Sequence, residues 1–214
     1  RLARGETTAE AIAEACLAKA EDPAGEGTRV FIALDRDKVL TQARASDAMR
    51  KYGVVPSPVA GIPVSVKDLY DVAGEVSKAG SRALADAPPA GHDAPSIARL
   101  RAAGAVLMGR TNMTEFAYSG VGINPHYGTP ASPWDRASKR IPGGSSSGAA
   151  VSVADGMAVV GLGTDTGGSC RIPAALCGTV GWKPTARRIP LDGVVPLAFS
   201  LDSLGSMGAS VTCV

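Results

Sequence analysis

Met157-Ala158-Val159-Val160-Gly161-Leu162-Gly163-Thr164-Asp165-Thr166-Gly167-Gly168-Ser169-Cys170-Arg171 changes character midway. Met157 to Gly163 carries no charge, which predicts a buried strand. Asp165 to Arg171 then sets hydroxyls beside paired glycines, where the backbone turns sharply and bare N–H groups can approach a ligand. Just upstream, Ser147 to Gly156 predicts a helix entered through Gly143-Gly144-Ser145-Ser146-Ser147-Gly148. A helix feeding a charge-free strand is the unit from which layered α/β domains are built.

The same alternation runs through the rest of the chain. Ile62-Pro63-Val64-Ser65-Val66-Lys67-Asp68 alternates and is β-branched, predicting a strand that ends at Lys67. Pro95 to Ala103 predicts a helix, followed by a strand from Ala105 to Gly109, and Asn112 to Tyr118 a helical turn or two. Toward the amino end, Val30 to Leu34 reads as a strand and Asp35 to Lys51 as a helix. Thr7-Thr8-Ala9-Glu10 reads as a helix start with Thr7 as cap and Glu10 reaching back. Ala11, Ile12, Ala15, Cys16 and Ala18 then line its apolar face as far as about Glu21. Tyr52 to Pro63 and Pro130 to Gly144 are loops. The expected fold is an α/β layered domain on a largely parallel sheet.

The chain has 214 residues, long enough for one sizeable core, and its 22 basic and 20 acidic side chains leave a net charge of +2. That balance argues against a nucleic-acid or membrane partner. Ser138-Lys139-Arg140 and Ala186-Arg187-Arg188 are too short to make a binding stripe and read as solvated loops. Cysteines at 16, 170, 177 and 213 show no Cys-x-x-Cys spacing, and His92 and His126 are the only histidines, so no zinc site is expected. Reduced, buried cysteines, no membrane-spanning run and no signal-like start fit a cytoplasmic enzyme.

Three chemistries compete for the glycine–serine loops. A phosphate-binding loop lacks its Gly-Lys-Ser/Thr. An α/β-hydrolase elbow fits Gly144-Ser145-Ser146-Ser147-Gly148 with Ser146 as nucleophile, but needs a histidine downstream, and both histidines lie upstream. The third is a serine served by lysine. A lysine acts as a base only when neutral, which burial can achieve by lowering its pKa several units. Lys67, at the end of an apolar strand, is the candidate; the local Ser-x-x-Lys version is excluded, since no serine stands three before any lysine.

Taken together, the segments resemble the amidase signature family. The resemblance rests on Gly61-Ile62-Pro63-Val64-Ser65-Val66-Lys67-Asp68, Arg110-Thr111-Asn112-Met113-Thr114-Glu115-Phe116, Pro142 to Gly148, Gly163 to Ala175, Gly181-Trp182-Lys183-Pro184-Thr185 and Leu201-Asp202-Ser203-Leu204-Gly205. It implies a Ser–cis-Ser–Lys triad: Ser169 the nucleophile, Ser145 the bridge behind a cis Gly144–Ser145 peptide, and Lys67 the base. The oxyanion hole then falls on backbone N–H groups around Thr166, Gly167, Gly168 and Ser169. Arg171 either pairs with Asp165 or binds an acidic substrate group, and Cys170 is packing.

The resemblance further implies a mixed, largely parallel sheet flanked by helices, of which residues 1–214 form about the amino-terminal half of a single domain. It implies hydrolysis of a small carboxamide to acid and ammonia, with no metal or organic cofactor and a small-molecule amide as partner. The alternatives are the glutaminase component of a tRNA-dependent amidotransferase and a ureide-type hydrolase. Association into homo-oligomers is left open.

Overall fold

A computed structural model describes residues 1–214. Helix α1 (Ala9–Ala20) leads through the single turn α2 (Gly27–Val30) into strand β1 (Phe31–Leu34), then helix α3 (Arg36–Lys51) and strand β2 (Pro63–Lys67). Helix α4 (Pro95–Ala102) and strand β3 (Val106–Thr111) follow, then helix α5 (Ser147–Ala154) and strand β4 (Val160–Thr164). Helix α6 (Arg171–Cys177), strand β5 (Val180–Trp182) and strand β6 (Leu204–Gly208) complete the order.

The strands form one six-stranded sheet in the order β1-β3-β2-β4-β6-β5. Its centre is parallel, β2 pairing with β3 on one side and β4 on the other, while β1, β6 and β5 join antiparallel. The mixed α/β expectation therefore holds, and the parallel centre is where the candidate loops emerge. Lys67 ends β2 and Thr164 ends β4, so both chain segments leave the sheet at the same edge.

Side chains alternate across the sheet as the pleat requires. Val106 and Met108 enter the main core with α5, α1 and α3, whereas Leu107 faces the opposite cluster of Val66, Tyr70, Ile97 and Leu204. Helix α5 is buried from Ser147 to Val153, and its small residues let it lie directly on the sheet. Gly148 sets that distance: a Cβ there would stand 2.6 Å from Val30 O and 2.7 Å from both Asn112 N and Asn112 O. These are backbone atoms, so they cannot swing aside. Gly148→Ala is expected to destabilise the fold by about 1–3 kcal/mol, read as a fall in the urea midpoint; an unchanged midpoint would contradict this packing.

Two expectations are corrected at the amino end. Thr8, not Thr7, caps α1, its Oγ1 accepting the Ala11 N–H at 3.0 Å, while Asp47 accepts from Ala9 N (2.7 Å) and Glu10 N (2.9 Å). The buried face comprises Ala9, Ala13, Cys16, Leu17 and Ala20, leaving Ala11, Ala15 and Ala18 exposed. Alanines ring this helix, so their spacing does not select a face; the anchor from Asp47 on α3 does. Helix α6 and strands β5 and β6 were not expected from local pattern, and no helix is long and apolar enough to cross a membrane.

Candidate active site

Strand β2 is buried at every position, and it delivers Lys67 into the interior with no solvent exposure. Its Nζ donates to Ser145 Oγ at 2.7 Å and to Thr164 Oγ1 at 2.8 Å. Burial is the largest influence on this amine and lowers its pKa to about 7; the nearby acidic groups of Cys170, Asp165 and Asp202 act in the opposite direction. No carboxylate bonds to Nζ: both partners are hydroxyls, a setting that suits a neutral amine.

Ser145 follows a cis peptide bond to Gly144 and is fully buried. Its carbonyl accepts from Thr114 N at 3.0 Å, tying it to the segment after β3. Ser169 is 7% exposed, and its carbonyl rather than its Oγ makes its contact with the neighbouring serine loop. The two serine loops meet where Ser146 N donates to Ser169 O at 3.3 Å. Lys67 and Ser145 are thus joined directly, whereas Ser169 is tied to this group only through the backbone bond from Ser146 and no hydrogen bond joins its Oγ to Ser145. Such links commonly tighten only when substrate is bound.

The Asp165–Arg171 loop is organised by one carboxylate. Asp165 is fully buried; its Oδ1 accepts from Gly168 N (2.9 Å) and Arg171 Nη2 (2.8 Å), and its Oδ2 from Cys170 N (3.1 Å) and Arg171 Nε (3.0 Å). Burial pushes its pKa up, but Arg171 and the Cys170 N–H outweigh that and hold it below the usual carboxylate value. Arg171 therefore has a partner within the loop, although its side chain keeps 53% exposure. The Gly168 N–H is already engaged. Those of Thr166, Gly167 and Ser169 make no hydrogen bond, and a Cβ on Gly167 would meet no atom within 4 Å. These three N–H groups are therefore unengaged within the chain. Cys170 is fully buried, and burial pushes its thiol to about 12, leaving it protonated and unreactive at neutral pH.

Three contributors had no assigned role in the sequence. Thr164 shares the Lys67 amine. Asp202 accepts a hydrogen bond from Thr166 Oγ1. Arg110, only 3% exposed, donates from Nε to Asp68 Oδ1 at 2.6 Å and from Nη2 to Tyr70 O at 2.7 Å, fixing the chain just beyond Lys67. Thr164 was legible in principle, as the residue closing the strand before Asp165. The other two pairs join residues 36 and 42 positions apart and have no local signature.

Residues 11–214 match the sequence model of the Amidase family. Curated relatives include 2-amino-5-chloromuconic acid deaminase of Comamonas testosteroni, 42% identical over 99% of this chain and 45% of that protein. A glutamyl-tRNA(Gln) amidotransferase component from Chloroflexus aggregans is 45% identical over 98% of this chain and 42% of its own length. Among solved structures, the native peptide amidase of Stenotrophomonas maltophilia superposes with a TM-score of 0.89 at 38% identity, covering 100% of this chain and 44% of that one. The chain thus spans a little under half the length of these relatives. Sequence and backbone agree along almost all of it, and the protein belongs to the Amidase family.

Proposed function

We propose that this chain carries the catalytic centre of an amide hydrolase, with Ser169 as nucleophile, Ser145 as proton bridge and Lys67 as base. The observation that carries the reading is the fully buried Lys67 amine, poised near neutral pH and donating 2.7 Å to Ser145 Oγ. Ser169 Oγ attacks the amide carbonyl carbon, passing its proton to Ser145 as Ser145 passes its own to Lys67. The free N–H groups of Thr166, Gly167 and Ser169 receive the oxyanion. As the C–N bond breaks, the proton on Lys67 returns through Ser145 to the departing nitrogen. Water then attacks the acyl-enzyme by the same relay, releasing a carboxylic acid and regenerating Ser169. Arg171, held by Asp165, stiffens the loop that supplies these groups.

For substrate, a small carboxamide giving acid and ammonia is the preferred reading. A second reading follows from the amidotransferase relative, with glutamine as the amide and ammonia passed to a partner protein. A ureide substrate is supported by a 1-carboxybiuret hydrolase component from Pseudomonas sp., 41% identical over 98% of this chain and 45% of that protein. Ammonia release from aliphatic and aromatic carboxamides, glutamine and ureides separates the three. Glutamine turnover that rises with partner proteins and tRNA would favour the second, and ureide turnover alone the third.

The titration of Lys67 gives a pH prediction. The base must be unprotonated in the free enzyme, so kcat/KM should rise with pH and level off above the Lys67 pKa of about 7. A profile flat from pH 5 to 9 would remove Lys67 from the reaction.

A further inference from the structure

Thr166 makes a single hydrogen bond in the chain: its Oγ1 donates to Asp202 Oδ1, while its backbone N–H stays free. That N–H shares a planar peptide unit with the Asp165 carbonyl, which accepts from Ser203 N at 3.1 Å, so the Asp202–Ser203 segment holds the unit from its carbonyl as well as through the Thr166 hydroxyl. Asp202 is itself held firmly. Its Oδ2 accepts from Leu197 N at 2.9 Å and from Ala198 N at 3.0 Å, its Oδ1 accepts from Ala198 N at 3.1 Å, and its own N–H donates to Ala198 O at 2.9 Å. Beside it, Ser203 and Asp165 exchange backbone hydrogen bonds of 3.1 and 2.8 Å.

The segment that Asp202 closes is anchored on the other side too. Val195 N donates to Leu69 O at 2.9 Å and Asp71 N to Gly193 O at 2.8 Å, so residues 193–195 run beside the chain that leaves Lys67. One carboxylate therefore ties the glycine–serine loop to the continuation of the lysine strand. We propose that Asp202 is a positioning residue that, through the Thr166 hydroxyl, aims the Thr166 N–H at the oxyanion formed on Ser169 attack. The inference rests on the reading of Ser169 as nucleophile.

A carboxylate that merely closed the 197–202 turn would not depend on Thr166. The two roles separate in the rate of labelling by a fluorophosphonate, measured with mass-spectrometric mapping across pH. In that reaction Ser169 Oγ forms the P–O bond as the P–F bond breaks, fluoride leaves, the serine proton enters the Ser145–Lys67 relay, and the phosphoryl oxygen occupies the oxyanion position. Thr166→Val keeps the N–H and every contact of Asp202 with Leu197 and Ala198, but loses the anchor. It should slow labelling about tenfold, less than deleting a donor outright, and Thr166→Ser should restore the rate. Asp202→Asn should slow labelling at least as much, and adding Thr166→Val to it should cost little more, because both remove one contact.

Asp202→Asn should also move the acid limb to lower pH. It removes a negative charge that favours protonated Lys67, leaving the Asp165 carboxylate paired with Arg171 and the Cys170 thiol as the titratable groups that act on that amine. Wild-type labelling rates in Thr166→Val, or losses that multiply in the double variant, would overturn the proposal. If Asp202→Asn does not fold, the Thr166 pair decides. Absence of any adduct on wild-type Ser169 would overturn the nucleophile assignment and this inference with it, whereas labelled wild type with unaffected variants would overturn this inference alone.

Discussion

Lys67→Met is expected to lower kcat/KM by about 10⁴-fold, the upper end of what a positioned general base contributes, and to flatten the pH dependence of folding stability. The first effect follows from the only titratable side chain bonded to Ser145 Oγ. The second follows from burial. Folded Lys67 titrates at about 7, against 10.5 for the ordinary side chain. Between those values the unfolded chain holds a proton that the folded chain has released, so stability rises with pH across that window, by about 1.4 kcal/mol per pH unit from this group. Below about 7 both states are protonated and the burial penalty is constant. Methionine fills similar space without titrating, so the variant should lack this slope, although the Ser145 and Thr164 hydroxyls lose their shared partner. Urea unfolding from pH 7 to 10 on both proteins checks this; parallel slopes would mean that the amine is not buried as described.

The second large effect is one of stability. Arg110→Leu should destabilise the protein by about 3–5 kcal/mol at pH 7, because it leaves Asp68 charged, buried and without its partner. Asp68 has no solvent exposure, and burial already raises its pKa despite Arg110 and the N–H groups of Gly80 and Lys78. Without the guanidinium that pKa rises further. The penalty is therefore full at neutral pH and shrinks as pH falls and Asp68 takes up a proton. Adding Asp68→Asn should recover part of the loss. Chemical denaturation of the single and double variants at two pH values tests this; a loss below about 1 kcal/mol would show that the pair is not sealed from water. Activity should fall as well, since Asp68 adjoins Lys67 and Arg110 also holds the Tyr70 carbonyl.

The legible parts of this protein are those that local chemistry dictates. The alternation at Ile62–Lys67 and the charge-free run before Thr164 marked the two strands that carry the site, and the glycine–serine loops marked their own positions. Strand β6 was hidden because Leu204-Gly205-Ser206-Met207-Gly208 has little β propensity. It is a strand because it fits between β4 and β5, and Gly205 is there because a Cβ would stand 2.3 Å from Trp182 O. Helix α6 was masked by Pro173, which is tolerated in a first turn and broke the periodic pattern. Within the site, residue types named the candidates but not who holds whom. The engagement of the Gly168 N–H by Asp165 and the anchoring of Thr166 by Asp202 both arise from folding, and no spacing rule points to them.

The central claim is that Ser169 is a nucleophile activated by a buried neutral lysine. Fluorophosphonate treatment of the purified protein, followed by peptide mapping, tests it without a guess about substrate. The account predicts one adduct, on Ser169, absent in Ser169→Ala and formed far more slowly in Lys67→Met. An adduct on Ser146, or labelling of Ser169 at an unchanged rate without Lys67, would contradict it.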